Sequence, residues 1–95
     1  MKIGLLTLSV RFEGSNSLKA KRGRIKPFIT RLKKEFNVSV AEVAQQDMWQ
    51  AATIACALVS NDSDHAQRSL QTIVEWIERS WPDANLIDEQ IEIIS

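Results

Sequence analysis

The spacing of hydrophobic residues changes along this chain in a fixed order: every second residue, then a helical period, then every second residue twice, then the helical period and alternation once more. Side chains alternate faces along a strand and recur roughly every 3.6 residues along a helix. The order therefore predicts strand, helix, strand, strand, helix, strand. Residues 2–12 read as the first strand, with Leu6, Leu8, Val10 and Phe12 on one face and Ile3, Leu5, Thr7, Ser9 and Arg11 on the other. Gly14 to Ser17 make a loop in which Ser15 or Ser17 can cap a helix by accepting a backbone N–H bond. Leu18, Ile25, Ile29, Leu32 and Phe36 then recur at spacings of seven, four, three and four, giving an amphipathic helix of nearly twenty residues. Gly23 weakens that helix, and Pro27, which lacks a backbone donor, kinks it or marks its true start.

Residues 37–44 alternate again, "QQDM" is a polar turn, and residues 49–60 are apolar on both faces, as a central strand requires. Asp62 or Ser63 caps the second helix. Its apolar face is Ala66, Leu70, Ile73, Val74, Ile77 and Trp81, and Pro82 stops it. Residues 84–94 form a last strand in which Ile87, Glu89, Ile91 and Ile93 occupy alternate positions.

Two strand–helix–strand halves with right-handed crossovers give an α+β, ferredoxin-like βαββαβ domain spanning residues 1–95. Its expected sheet is antiparallel, ordered 4-1-3-2, with both helices on one face. The other face is then bare. It collects Ile3, Leu5, Thr7 and Ser9, together with either Ala51, Thr53, Ala55, Ala57 and Val59 or, in the reverse facing, Ala52, Ile54, Cys56 and Leu58. A small apolar face of this kind predicts a homodimer through the open sheet; the alternative is a tolerated mixed surface. RNA-recognition sheets stack bases on aromatics in the central strands. Here Phe12 and Trp49 lie only at strand ends, which excludes that mode.

The chain is net neutral, but its charge is divided. Residues 1–34 hold ten Lys or Arg and one acid, Glu13, whereas residues 35–95 hold two bases and eleven acids. Residues 17–36 alone carry eight Lys or Arg against Glu35. An ordinary solvated helix mixes signs to gain pairs four residues apart. This one repels itself, and a polyanion relieves that. Lys19, Lys21, Arg22, Lys26, Arg31, Lys33 and Lys34 are the candidate phosphate contacts. The alternative is neutralisation within the fold or dimer by Glu75, Glu78 or Asp88.

Catalytic candidates are few. His65 is the only histidine and has no ligand-spaced partner, so no metal or other cofactor is expected. Asp47 suits a hairpin turn better than acid catalysis. Gln46 and Gln50 flank it as candidates for hydrogen bonds to the loop, and Trp49 is expected to pack in the core or at its rim. An acylphosphatase-like phosphate cradle at Arg11, Gly14, Ser15 and Asn16 lacks the glycine-rich loop and carries Glu13, a charge of the wrong sign. Cys56, in an apolar run, reads as a buried small hydrophobe. The opening residues are too short and too interrupted for a signal segment, and no run suffices to span a membrane; the expectation is a cytoplasmic protein.

Four segments together, "SLKAKR", "FNVSVAEVA", "QDMWQAA" and "VSNDSDH", resemble the YlxP-like family of small bacterial proteins, over residues 3 to about 93. The resemblance implies a cytoplasmic ferredoxin-like domain whose genes lie near those of translation and ribosome-maturation factors. It marks Ser17, Leu18, Lys19, Lys21, Arg22, Glu42, Gln46, Asp47, Trp49, Gln50 and Asn61 among its motif positions, with Gln45 where a histidine often stands. The combined expectation is a non-enzymatic protein that binds ribosomal or other structured RNA through its basic first helix. A dimeric structural or regulatory domain with a protein partner is the alternative, and a small acylphosphatase-like hydrolase the third reading.

Overall fold

In a computed structural model that describes residues 1–95, the alternation at the N-terminus forms β1 (Lys2–Arg11). It is followed by α1 (Leu18–Glu35), β2 (Ser39–Ala44), β3 (Ala51–Ser60), α2 (Ser63–Ser80) and β4 (Asn85–Ile94). The sheet is antiparallel with order β2-β3-β1-β4, the expected 4-1-3-2 order read from the other edge. Leu6, Leu8, Val10 and Phe12 are buried with Ala52, Ile54 and Cys56 of β3, Val40 of β2 and the apolar stripes of both helices in one 16-residue cluster. Register decides the facing of β3 that its sequence left open: Leu6 pairs with Cys56 and Leu8 with Ile54. Ala51, Thr53, Ala55, Ala57 and Val59 therefore lie on the bare face with Ile3, Leu5, Thr7 and Ser9.

The helices start where their caps stand. Ser17 Oγ accepts from the Ala20 N–H at 3.0 Å, and Asp62 accepts from the Asp64 N–H at 3.1 Å. Thus α1 begins at Leu18 and runs through Pro27 without ending there. Relative to alanine, Gly23 costs such a helix about 1 kcal/mol and Pro27 about 3 kcal/mol. Of the expected stripe Leu18, Ile25, Ile29, Leu32 and Phe36, Ile25 and Leu32 are buried and Ile29 and Phe36 pack against the core at its margin, while Lys21 and Phe28 complete the buried line. β3 begins two residues later than expected, because Trp49 and Gln50 still belong to the preceding loop. A register shift opposite Ser9 and Val10 skips Ile87, leaving it 56% exposed instead of on the core face.

Five of the six aromatics form a continuous chain between the helices and the end of the sheet. Phe12 meets Phe28 at 6.5 Å between ring centroids, Phe28 meets Trp81 at 5.7 Å, Trp81 meets Trp76 at 6.1 Å and Trp76 meets Phe36 at 5.7 Å. Such pairs add about 0.5–1.5 kcal/mol each beyond the area they bury. Trp49 is the one left out.

Cys56 is fully buried, and burial pushes its thiol from 9.0 up to about 12. The thiol is therefore neutral and inert in the folded protein. Below pH 9 it is protonated in both states. As pH rises from about 9 to about 12 the unfolded chain releases a proton that the folded chain keeps, so stability falls, at most by about 1.4 kcal/mol per pH unit. Urea unfolding across this window will show a steeper alkaline loss for the wild type than for Cys56→Ala, and parallel curves would contradict the assignment.

Candidate nucleic-acid interface and the loop beside it

Eight cations lie on α1, and packing sorts them. Lys21 sits four residues before Ile25, which places it on the buried stripe, and it is 0% exposed. Its Nζ donates to Glu42 Oε2 at 3.0 Å and to the carbonyls of Gln45 at 2.8 Å, Ala51 at 3.0 Å and Gln46 at 3.3 Å. An ammonium has three N–H groups, so all are engaged and the weakest contact is shared. Lys21 is thus removed from the phosphate-contacting set in which its charge alone had placed it. The Lys21 side chain is enclosed, and no solvent-side ligand reaches its ammonium.

Arg24 is also turned inward. It holds Asp83 through two N–H groups, at 2.8 and 3.1 Å, donates to the Glu13 carbonyl at 2.6 Å and lies 5.3 Å from the Phe12 ring centre. These contacts fasten α1 to the ends of β1 and α2. Arg31 is exposed and pairs only with Glu35, one turn along the same helix, at 2.9 Å; such a pair is worth a few tenths of a kcal/mol.

Lys19, Arg22, Lys26, Lys33 and Lys34 are exposed, and none forms an ion pair. Glu75, Glu78 and Asp88, the acids considered for neutralising the helix, pair with none of its cations. The intramolecular partners are instead Glu42, Asp83 and Glu35. Lys19, Arg22, Lys26 and Lys33 follow one another at spacings of three, four and seven, which is one row along the helix. At 1.5 Å per residue that row is about 21 Å long.

The loop between β2 and β3 rests on Lys21. Gln45 takes a left-handed backbone, φ 63°, and its carbonyl also receives the Met48 N–H at 3.1 Å, closing a turn with Gln46 and Asp47 at its centre. Asp47 is therefore a turn residue. The Gln45 side chain accepts from Thr53 Oγ1 at 2.9 Å. Gln50 fixes the far side: its carbonyl accepts the Phe12 N–H at 2.8 Å and its side chain accepts from Arg11 at 3.1 Å. Arg11 also binds Glu13 at 3.1 Å, which occupies the guanidinium that a phosphate cradle needs free. Trp49 is 55% exposed and Met48 51%, so Trp49 belongs neither to the core nor to its rim. The basic segment, Glu42 and the QDMWQ segment are thus parts of one construction at one end of the molecule. Spacing alone could have found Lys21, since residues 18, 21, 25, 28 and 32 share one helical stripe.

No helix is long and apolar enough to cross a membrane. The sequence matches, over residues 3–91, the model of a family described as "Protein of unknown function (DUF503)". It is 36% identical over 69 residues to "Uncharacterized protein YlxP" of Bacillus subtilis (strain 168), covering 73% of this chain and 74% of that protein. Among solved structures it is similar to the de novo designed protein Foldit4, with a TM-score of 0.51 and 14% identity, covering 98% of this chain and 97% of that one. That likeness concerns the fold alone.

Proposed function

Since the chain belongs to the DUF503 family, whose description carries no activity, we propose its function from the geometry: it is a non-enzymatic binding protein for structured RNA, ribosomal RNA included, that grips phosphates with the outer face of α1. The observation that carries this reading is the set of five exposed cations without carboxylate partners, four of them in one row. Phosphates are the natural counter-charge for such a row, and A-form RNA is recognised largely through its backbone. The βαββαβ order and the 4-1-3-2 sheet support reading the architecture as ferredoxin-like. Arg31 extends the surface, because the Glu35 pair that holds it is weak and exposed. The test is binding of a base-paired RNA hairpin to the wild type and to a variant with Lys19, Arg22, Lys26, Lys33 and Lys34 all changed to Gln. The wild type binds and the variant does not; equal binding overturns the reading.

A second reading concerns the bare sheet face and is independent of RNA. Ile3 pairs with both Val59 and Ile94, which are 71% and 46% exposed, so three apolar residues cross three strands beside Leu5 and Ala57. This supports a homodimer through the open sheet. Sedimentation equilibrium at micromolar concentration is expected to give about twice the 10.8 kDa chain mass, falling to one chain mass in Leu5→Lys. A monomer at every concentration overturns it.

A further inference from the structure

The two residues that a helix interior tolerates least, Gly and Pro, stand four apart on the exposed side of α1 at positions 23 and 27. Nothing inside the molecule requires either. A Cβ built on Gly23 meets no atom within 4 Å, whereas one on Gly4 comes within 3.0 Å of Leu70. Pro27 is exposed and makes no turn. A local rule broken without internal compensation points to an external use.

What the pair does is shape a surface. Gly23, Pro27 and Trp81 line a groove of about 610 Å³ together with Lys26, Arg31 and Lys34. Pro27 has no N–H to give the Gly23 carbonyl, and its ring crowds that oxygen, so an acceptor is left over beside a position with no side chain to cover it. The indole N–H of Trp81 is buried and also lacks a partner. Lys26 and Thr30 line both this groove and a second one, of about 430 Å³, beside Arg22 and Lys33 of the cationic row. A strand whose phosphates follow the row therefore reaches the groove.

Cations call for phosphate, and a free carbonyl calls for a donor. The repeating unit of RNA offers both, since its 2′-hydroxyl is a donor that DNA does not have. We propose that the Gly23–Pro27 groove is a seat for one ribose–phosphate unit of an RNA strand, with Lys26 and Lys34 on the phosphate and the Gly23 carbonyl accepting the 2′-hydroxyl. The inference rests on the RNA reading of α1 and extends it, because it makes the helix a reader of RNA as such and not of polyanions in general. Trp81 walls the seat with an apolar ring, which suits a sugar better than a second charge.

The experiment uses a base-paired RNA hairpin and the same hairpin with 2′-fluoro sugars, which keep the A-form but cannot donate. Binding to the wild type, Gly23→Leu and Pro27→Ala is measured by fluorescence anisotropy, with a thermal unfolding curve for each. The wild type is expected to prefer the hydroxyl form by up to about tenfold, as one hydrogen bond allows. Pro27→Ala returns an N–H to the Gly23 carbonyl, so it raises Tm, abolishes that preference and leaves the salt dependence unchanged. Gly23→Leu places its Cβ where no atom lies within 4 Å and its remaining atoms in the groove, so it keeps or raises Tm and weakens binding to both hairpins. If Pro27→Ala retains the preference, or the wild type shows none, the seat is overturned while the basic helix still stands. A wild type that binds neither hairpin overturns the RNA reading, and the seat with it.

Discussion

Replacing Lys21 with alanine will lower the unfolding free energy by about 3–5 kcal/mol, the cost of stranding one partner of a buried ion pair. The Lys21 side chain is 1% exposed and that of Glu42 18%, so water cannot stand in for the ammonium and reaches the carboxylate only at its edge. Removing it takes the donor from the Glu42 carboxylate and from the Gln46 and Ala51 carbonyls, and leaves the Gln45 carbonyl with the Met48 N–H alone. For a domain of this size stability totals only about 5–15 kcal/mol, and each kcal/mol moves Tm by about 4–8 °C, so a fall of at least about 12 °C follows. Lys21→Met/Glu42→Leu should recover much of the loss, because an apolar pair carries no desolvation cost. The carbonyls of Gln45, Gln46 and Ala51 would still lack their donor, so recovery stays incomplete and the QDMWQ loop stays loosened. Urea unfolding of the four members of this cycle checks the claim. A loss below about 1 kcal/mol in Lys21→Ala, the worth of an exposed pair, would show that the cage is not what holds the loop.

The salt response of RNA binding is the second large effect. Each phosphate neutralised contributes roughly −0.7 to −0.9 to the slope of log affinity against log salt. Five exposed cations therefore give a slope near −4, and raising salt from about 50 to about 200 mM weakens binding by about 250-fold. Lys21 and Arg24 are excluded from that count because their charge is spent inside the fold. Arg31, if it leaves Glu35 for a phosphate, brings the slope nearer −5, and a slope of −6 or steeper would mean that a cation outside α1, such as Arg68, also faces the RNA. Apolar docking on the open sheet face would instead leave binding almost unchanged over the same range. Filter binding at four or five salt concentrations, with the five-fold Gln variant as control, separates these outcomes. A flat line removes phosphate contact as the basis of any binding.

Much of the architecture was legible because it is written locally. Leu6, Leu8 and Val10 alternate with Leu5, Thr7 and Ser9, and a strand has no other way to use that pattern. Short side chains that accept a backbone N–H narrowed the helix starts to Ser15 or Ser17 and to Asp62 or Ser63, of which Ser17 and Asp62 are the caps. The site was legible only as charge. A count of charge groups Lys21 with Lys19 and Arg22, yet one lies under the β2–β3 loop and the others face solvent. Trp49 was misplaced for a related reason. Its apolar character argued for burial, but the aromatic chain from Phe12 to Phe36 closes without it.

By itself, then, the amino-acid sequence determined the order of strands and helices, the faces of β1, each cap to one of two residues, and the concentration of positive charge on α1. All of these follow from interactions between residues a few positions apart. Only the tertiary structure decided which cations remain free. Lys21 meets Ala51 across 30 residues, and Arg24 meets Asp83 across 59. Whether a charge is spent or left over depends on which acceptors the folded chain brings within about 3 Å of it, and no pattern of neighbours along the chain encodes that distance.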